Sequence, residues 1–484
     1  MVFKNVPGVF IEEVSLLPPS VAGVETGIPA FIGYTQKTTT PQGASLVNKP
    51  TRINILKDYE EIFGKSLPED DGLAVQITDY VDEKGNTLRS VMEAKFDESK
   101  QRSQHLMYYS IQLYFANGGG PCYIISVGGF STGGQTINPT NLSDGLDALA
   151  NEDEPTMIVI PEAMFLGESD YFTLYNKALQ QCADLKDRVT ILDVLQSDKG
   201  ITNDVSKVFR KETGLMVDNL RFGAAYYPNL DTTIDYDYSG QEGNISITHK
   251  KINPDGSDGG LGEHDAKKLS DLKGRDNLTY EKAKLKLSEV PLVMPPSPAI
   301  AGIYARVDSE RGVWKAPANV GVAAISGPSI KIADADQNYM NIDPSSGKSV
   351  NAIRTITGRG TVVWGARTLD GNSNEWRYVP VRRFFNFVEE SVKKASYRFV
   401  FEPNDANTWV KVKAMIENFL TLQWRAGALQ GSKPEEAFFV RVGLGQTMSA
   451  IDILEGRMII EIGMAVVRPA EFIILRFSQK MPEA

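Results

Sequence analysis

The sequence predicts a mixed α/β protein of more than one domain, on three observations. Its 484 residues exceed one ordinary domain, and 42% hydrophobic with 23% charged side chains is ample material for large cores. Between residues 157 and 193, two short apolar runs flank an amphipathic stretch, the pattern of a βαβ unit and so of a partly parallel sheet. Helical periodicity and strand-like runs then return after residue 380. The same composition excludes wholesale disorder, collagen and a disulfide scaffold. Cys122 and Cys182 cannot make a framework and fit a reducing cytosol. No apolar run reaches the roughly 18 residues of a membrane span, so no membrane insertion is expected. Pro7, Glu12 and Glu13 interrupt the first residues before any signal-peptide hydrophobic region can form.

The elements follow in order. The first thirty residues read as extended: Val9-Phe10-Ile11 is strand-like, and Pro18-Pro19 breaks any helix. Ile28–Tyr34 is the first buried strand. Residues 66–104 are charged and poorly patterned, the mark of a surface insertion. Helical spacing at His105–Phe115 stops at Gly118-Gly119-Gly120-Pro121, and Cys122–Val127 reads as a buried strand. Met157–Ile160 and Val189–Asp193 are two more, around a helix at Tyr171–Leu185. Residues 231–290 turn rich in Asp, Gly and Lys and read as a second exposed insertion or flexible excursion. Pro291–Pro298 is a joint. Helices are expected at Val381–Ala395 and Thr408–Ala426. In the second, Trp409, Val412, Ile416, Phe419 and Leu420 line one face, with Asn404 or Asp405 as N-cap. Strands follow at Ala437–Val442 and Met458–Val467, and Arg468-Pro469 separates them from a last apolar run, Glu471–Phe477.

The formal net charge is −10, which argues against a dedicated nucleic-acid binder. It is unevenly spread. Residues 351–484 hold 18 Lys+Arg against 14 Asp+Glu, whereas residues 1–350 hold 33 against 47. An acidic body therefore carries a mildly basic C-terminal part.

A search for chemistry finds none. Gly64-Lys65-Ser66 and Gly347-Lys348-Ser349 end like phosphate loops, but Tyr59 and Ile342 stand where the first glycine belongs. The three histidines (His105, His249, His264) have no zinc spacing. Asp334-Ala335-Asp336 begins like a calcium loop, yet Tyr339 replaces its glycine and Ser345 its bidentate Glu. No nucleophile elbow exists, and the adjacent acids Glu12–Glu13, Glu389–Glu390 and Glu435–Glu436 read as solvated faces. No catalytic residue, cofactor or metal is assigned, and no enzyme is expected. What remains is a physical problem: the apolar runs at residues 9–11 and 471–477 are aggregation hazards unless paired. They either dock on their own sheet or pair with other subunits.

Several blocks then carry a resemblance. Pro7–Val14 and Val24–Gly33 are followed in order by Ala301–Arg306, Arg311–Asn319, Gly358–Gly360 with Val363–Leu369, Trp376–Arg383, Val400–Asp405 and Pro469–Ile473. This succession resembles contractile tail sheath proteins over residues 1–35 and most of 290–484. Leu16–Thr35 and Phe115–Cys122 are most similar to sheaths of phage-derived extracellular contractile injection systems, of the antifeeding-prophage and Photorhabdus-cassette type. The sheath of a contractile phage tail or bacteriocin is the alternative.

The resemblance implies a helical homopolymer around an inner tube, built on a baseplate beneath a terminal cap, with paralogous sheaths as further partners. It also implies assembly in the cytoplasm as part of a phage tail-like particle, and contraction that drives the tube through a target envelope. Both chain ends become arms that add strands to neighbouring subunits, through Val9, Phe10, Ile11 and Val14 and through Phe472, Ile473, Ile474 and Leu475. The expected organisation is an arm at 1–30, an α/β domain at 31–354 with outer insertions at 36–105 and 231–290, and a core domain at 355–484 ending in an arm at 470–484. In the tube-facing layer, Lys411, Lys413, Arg425 and Lys433 are the candidate contacts. Arg367, Arg377, Arg382 and Arg383 are expected in structural ion pairs.

Overall fold

A computed structural model describes residues 21–472 and 474, apart from 70, 98, 101, 131–135, 196–198, 212–213 and 342. Val9, Phe10, Ile11, Val14, Ile473 and Leu475 thus lie outside the described residues. The chain divides into two compact units: Glu25–Phe387 with Arg468–Ala484, and Met1–Val24 with Val388–Val467.

The larger unit opens with β1 (Pro29–Thr35), β2 (Thr51–Ile53), α1 (Leu56–Phe63), and the hairpin β3 (Leu73–Val81) and β4 (Thr87–Phe96). Next come α2 (Met107–Ala116), β5 (Cys122–Gly129), α3 (Pro139–Leu149), β6 (Met157–Val159), α4 (Glu168–Leu185), β7 (Val189–Asp193) and β8 (Gly223–Tyr227). Its second half holds β9 (Leu230–Thr232), β10 (Ser246–Ile252), β11 (Asp258–Leu261), α5 (Asn277–Ser288), β12 (Leu292–Met294) and α6 (Ser297–Arg311). It closes with β13 (Val320–Gly321), β14 (Ile325–Pro328), α7 (Asp334–Asn341), β15 (Val350–Ile356) and β16 (Gly360–Val363).

Nine strands make one sheet in the order β13-β16-β15-β8-β7-β6-β1-β5-β2. The six from β15 to β5 run parallel and the edges are antiparallel. Parallel strands covered on both faces need apolar side chains on both, which is why β1, β6 and β7 read as unbroken apolar runs. Successive residues part to opposite cores: Phe31, Ile124 and Ile191 pack toward α2 and α6, Ile32, Ile125 and Leu192 toward α3 and α4. α6 lies close against α2 because Gly302 has no side chain. A Cβ there would stand 2.4 Å from the Tyr114 carbonyl oxygen. The expected boundary near residue 355 is displaced: β15 straddles it, and residues 350–387 continue the larger unit.

The two expected insertions also need correction. They are one folded layer, a four-stranded sheet in the order β11-β10-β3-β4. β10 pairs β3 in parallel from Ser246↔Ala74 to Ile252↔Tyr80, so the second excursion zips onto the first. Leu73, Val75, Ile77 and Ile247 point into a core shared with Tyr280, Ala283 and Leu287 of α5. The bounds shrink as well, because β2 of the first excursion belongs to the main sheet. Asp334, the calcium-loop look-alike, opens helix α7 instead.

α8 (Val379–Ser396) crosses the boundary between the units along the sequence. The smaller unit holds the rest of that helix, α9 (Ala406–Arg425), and a hairpin of β17 (Phe438–Arg441) and β18 (Glu461–Met464). α9 begins where Asp405 Oδ1 accepts the Thr408 amide at 2.9 Å, the expected N-cap. Its buried face, Val412, Met415, Ile416, Phe419 and Leu420, recurs every three to four residues. Glu390, read from sequence as solvated, is buried and pairs with Lys393 and Lys394 at 3.1 and 3.3 Å.

Candidate functional site

The carboxyl ends of parallel strands are where α/β sheets place ligands, so the acids there come first. Glu162, after β6, is fully buried: Oε2 accepts the Tyr34 amide at 2.9 Å and Oε1 the Leu106 amide at 3.0 Å. Burial pushes its carboxyl up to about 8 against the pull of those amides. Asp193, at the end of β7, accepts the Ser297 amide at 2.7 Å and the Ser297 hydroxyl at 2.5 Å at the start of α6. Burial likewise pushes it up to about 7. Each acid ties two elements of its own unit together. Burial drives the Cys122 and Cys182 thiols upward, the latter to about 12, so neither is a poised nucleophile. Among the described residues no group of His, Cys, Asp and Glu is placed to hold a metal, and no helix is long and apolar enough to cross a membrane.

The surfaces are more informative. Of 21 exposed large hydrophobic residues among those described, ten belong to the smaller unit, from Tyr397 to Ile459, although it holds under a fifth of the described chain. Scattered exposed apolar residues need no explanation, but this density makes the smaller unit the candidate contact surface. Phe401 is fully exposed and held at φ +70°, a left-handed conformation that side chains other than glycine seldom adopt. Among the described strands, β17 and β18 each have one neighbour in their sheet. A two-stranded sheet is marginal alone.

The tube-facing candidates divide. On α9, Lys411 and Arg425 share an exposed stripe with Leu422, since 14 residues bring a helix back within about 40°. Lys413 lies on another side, 3.7 Å from Glu417. Lys433 is exposed just before the single turn Pro434–Ala437.

Two arginines stand at the roots of the chain ends. Arg383 forms a bidentate pair with Asp308 at 2.8 and 2.5 Å, lies over the Tyr304 ring, and donates to the Thr26 carbonyl at 2.9 Å. Arg367 forms a bidentate pair with Glu471, directly before exposed Phe472 and Ile474. Both were expected in ion pairs, but their partners lie 75 and 104 residues away and carry no sequence signal. Arg382 packs over Trp376 and donates to Asn386, and Arg377 bonds to Ser373 and Asn374.

Residues 173–369 match the phage tail sheath protein central domain, and residues 372–480 the phage tail sheath C-terminal domain. The chain is 30% identical to a chain of the anti-feeding prophage baseplate solved by cryo-EM, covering 99% of this chain and 100% of that one at a TM-score of 0.63. It is 29% identical to a chain of the PVC sheath complex, an extracellular contractile injection system, in its contracted state. There it covers 99% of each chain, again at a TM-score of 0.63. It is also 28% identical over 144 residues to the tail sheath protein of Burkholderia phage BcepMu, a match spanning 29% of this chain and 30% of that protein. Two domain matches in chain order and end-to-end likeness to solved relatives at 30% identity assign the chain to the phage tail sheath protein family.

Proposed function

We propose that this protein is the contractile sheath subunit of an injection system: it polymerises as a helical sleeve around an inner tube and shortens to drive that tube through a target envelope. The observation that carries the reading is the likeness over 99% of the chain to a sheath in its contracted state. The solved relatives that are 29–30% identical over the whole chain come from an anti-feeding prophage and an extracellular contractile injection system, which supports the injection-system type. The chain works without catalysis. The driving free energy lies in a difference of subunit contacts between two lattices, and the apolar surface of the smaller unit supplies contacts of that kind. Baseplate and terminal cap proteins bound the sleeve, and the particle assembles in the cytoplasm.

Both chain ends act as donated strands, and β17 and β18, each with one neighbour among the described strands, are the acceptors that suit them. Purified particles should pass from long and narrow to short and wide on mild acid or denaturant, seen by electron microscopy. Particles of one fixed length and diameter under all such conditions would mark a static shell.

The stripe holding Lys411 and Arg425, with Lys433 nearby in sequence, is the tube-facing surface, and its basic character fits an acidic tube. Lys411→Glu with Arg425→Glu should lower the yield of tube-filled sleeves about tenfold at low salt and less at high salt, where screening shortens the reach of charge. Lys413→Glu, whose lysine already has Glu417, should do much less. Equal co-assembly of the double variant and wild type at low salt rejects the stripe.

A further inference from the structure

Glu471 receives more donors than the end of a chain needs. Oε1 accepts Arg367 Nε at 3.0 Å and Asn341 Nδ2 at 2.8 Å, while Oε2 accepts Arg367 Nη2 at 2.6 Å and the Tyr378 hydroxyl at 3.2 Å. Charge-assisted bidentate geometry of this kind is the strong and directional form of hydrogen bond. The receptor is itself fixed. Arg367 is 3% exposed, and Asn351 holds its main chain from both sides, accepting its amide at 2.7 Å and donating to its carbonyl at 2.8 Å. Asn351 stands on β15 and also donates to Ala225 of β8, at 3.1 Å. A continuous polar path therefore runs from the parallel sheet through Asn351 and Arg367 to Glu471. One residue further, Phe472 is 69% exposed, and Ile474 is 79% exposed.

A rigid receptor directly before exposed Phe472 and Ile474 has a mechanical meaning. We infer that Glu471 is the anchor of the C-terminal arm: it fixes where the arm leaves its own subunit, and thus sets which residues reach the neighbouring copy. This rests on the reading that residues after 471 are donated. The anchor also passes tension from a rotating body into the arm, since the sheet, Asn351, Arg367 and Glu471 form one chain of bonds. Burial alone would raise the Glu471 carboxyl, but its bonds to Arg367 and Asn341 outweigh this and hold it below the ordinary glutamate value, so the anchor stays charged in mild acid.

The test compares full-length Glu471→Ala, the charge-free pair Arg367→Met with Glu471→Gln, and a chain ending at Glu471. Melting and circular dichroism report folding, and electron microscopy with sedimentation reports sleeves. The two variants that release the anchor are expected to fold and to lose sleeve yield about tenfold or more, because an untethered arm loses the effective concentration that its root confers. Added in substoichiometric amounts, they should also shorten wild-type sleeves, since such a copy accepts a neighbour's arm without delivering its own. A merely destabilised subunit would melt earlier without that poisoning. The paired substitution, which leaves no buried charge, decides where the single one fails to fold. Folded variants that build sleeves of wild-type length and yield, while the shortened chain does not, overturn the anchor and leave the donated arm standing. A shortened chain that also builds them overturns both.

Discussion

Chains lacking residues 1–14, or residues 472–484, are expected to remain folded, to melt within a few degrees of the full-length protein, and to form no sleeves. The folding half of this expectation follows from where the cores lie. The two apolar clusters that flank the nine-stranded sheet are filled, among the described residues, by side chains between Ala30 and Val379, and Phe472 and Ile474 are exposed. Removing exposed residues takes little apolar area out of the native state. The assembly half follows from strand addition, in which a donated strand supplies a whole ladder of main-chain hydrogen bonds. Losing one arm removes a connection at every subunit of the polymer, so the effect is multiplied along the sleeve. Gel filtration should give a monomer, and electron micrographs should show tubes or baseplates without sleeves. Full-length sleeves from either deletion would show that the arms are dispensable.

Arg383→Met carries the largest expected effect on the folded subunit, about 3–5 kcal/mol of stability, because it leaves the buried Asp308 carboxylate without its cation. Asp308 and Arg383 side chains are 4% and 3% exposed. Burial would depress the guanidinium, yet Asp308 holds it above its ordinary value. The substitution also removes one of two donors to the Thr26 carbonyl at the N-terminal edge of the larger unit, leaving the Thr156 hydroxyl at 2.6 Å. Urea titration should show the lost stability, and Asp308→Asn on top of Arg383→Met should recover part of it, since removing both charges costs less than stranding one. A double variant no better than the single one would mean that the Thr26 bond and the Tyr304 packing, not the charge pair, hold this corner.

What sequence reveals here follows from range. β1, β5, β6 and β7 are legible because a strand covered on both faces must be apolar throughout, and α9 because its buried residues keep helical spacing beside Asp405. β8, Gly223–Tyr227, escapes notice because glycine and alanine give it little strand character. β3 carries a usable signal, Leu73, Val75 and Ile77 alternating with polar residues, hidden in a charged segment. Its partner β10 lies far along the chain, and no local pattern announces that pairing. The sheath resemblance supplies the assembly, and Arg367 is legible as an ion-pairing residue. Its specific partner Glu471, 104 residues on, emerges only in three dimensions. Helical spacing could have separated Lys411 from Lys413, since residues two apart face nearly opposite ways on a helix.

The pairing of β3 with β10 has an evolutionary and practical consequence. Two inserts that share one sheet cannot be gained, lost or exchanged independently: deleting residues 246–261 would strip β3 of one neighbour along its length. Lineages that trim this decoration are expected to trim both segments together. For engineering, foreign peptides belong at the tips, where Asp82 and Asn86, and Asn253 and Ser257, already close their turns with main-chain hydrogen bonds of 2.9 and 3.0 Å. A graft at either tip would multiply around the sleeve while the ladder beneath it stays intact.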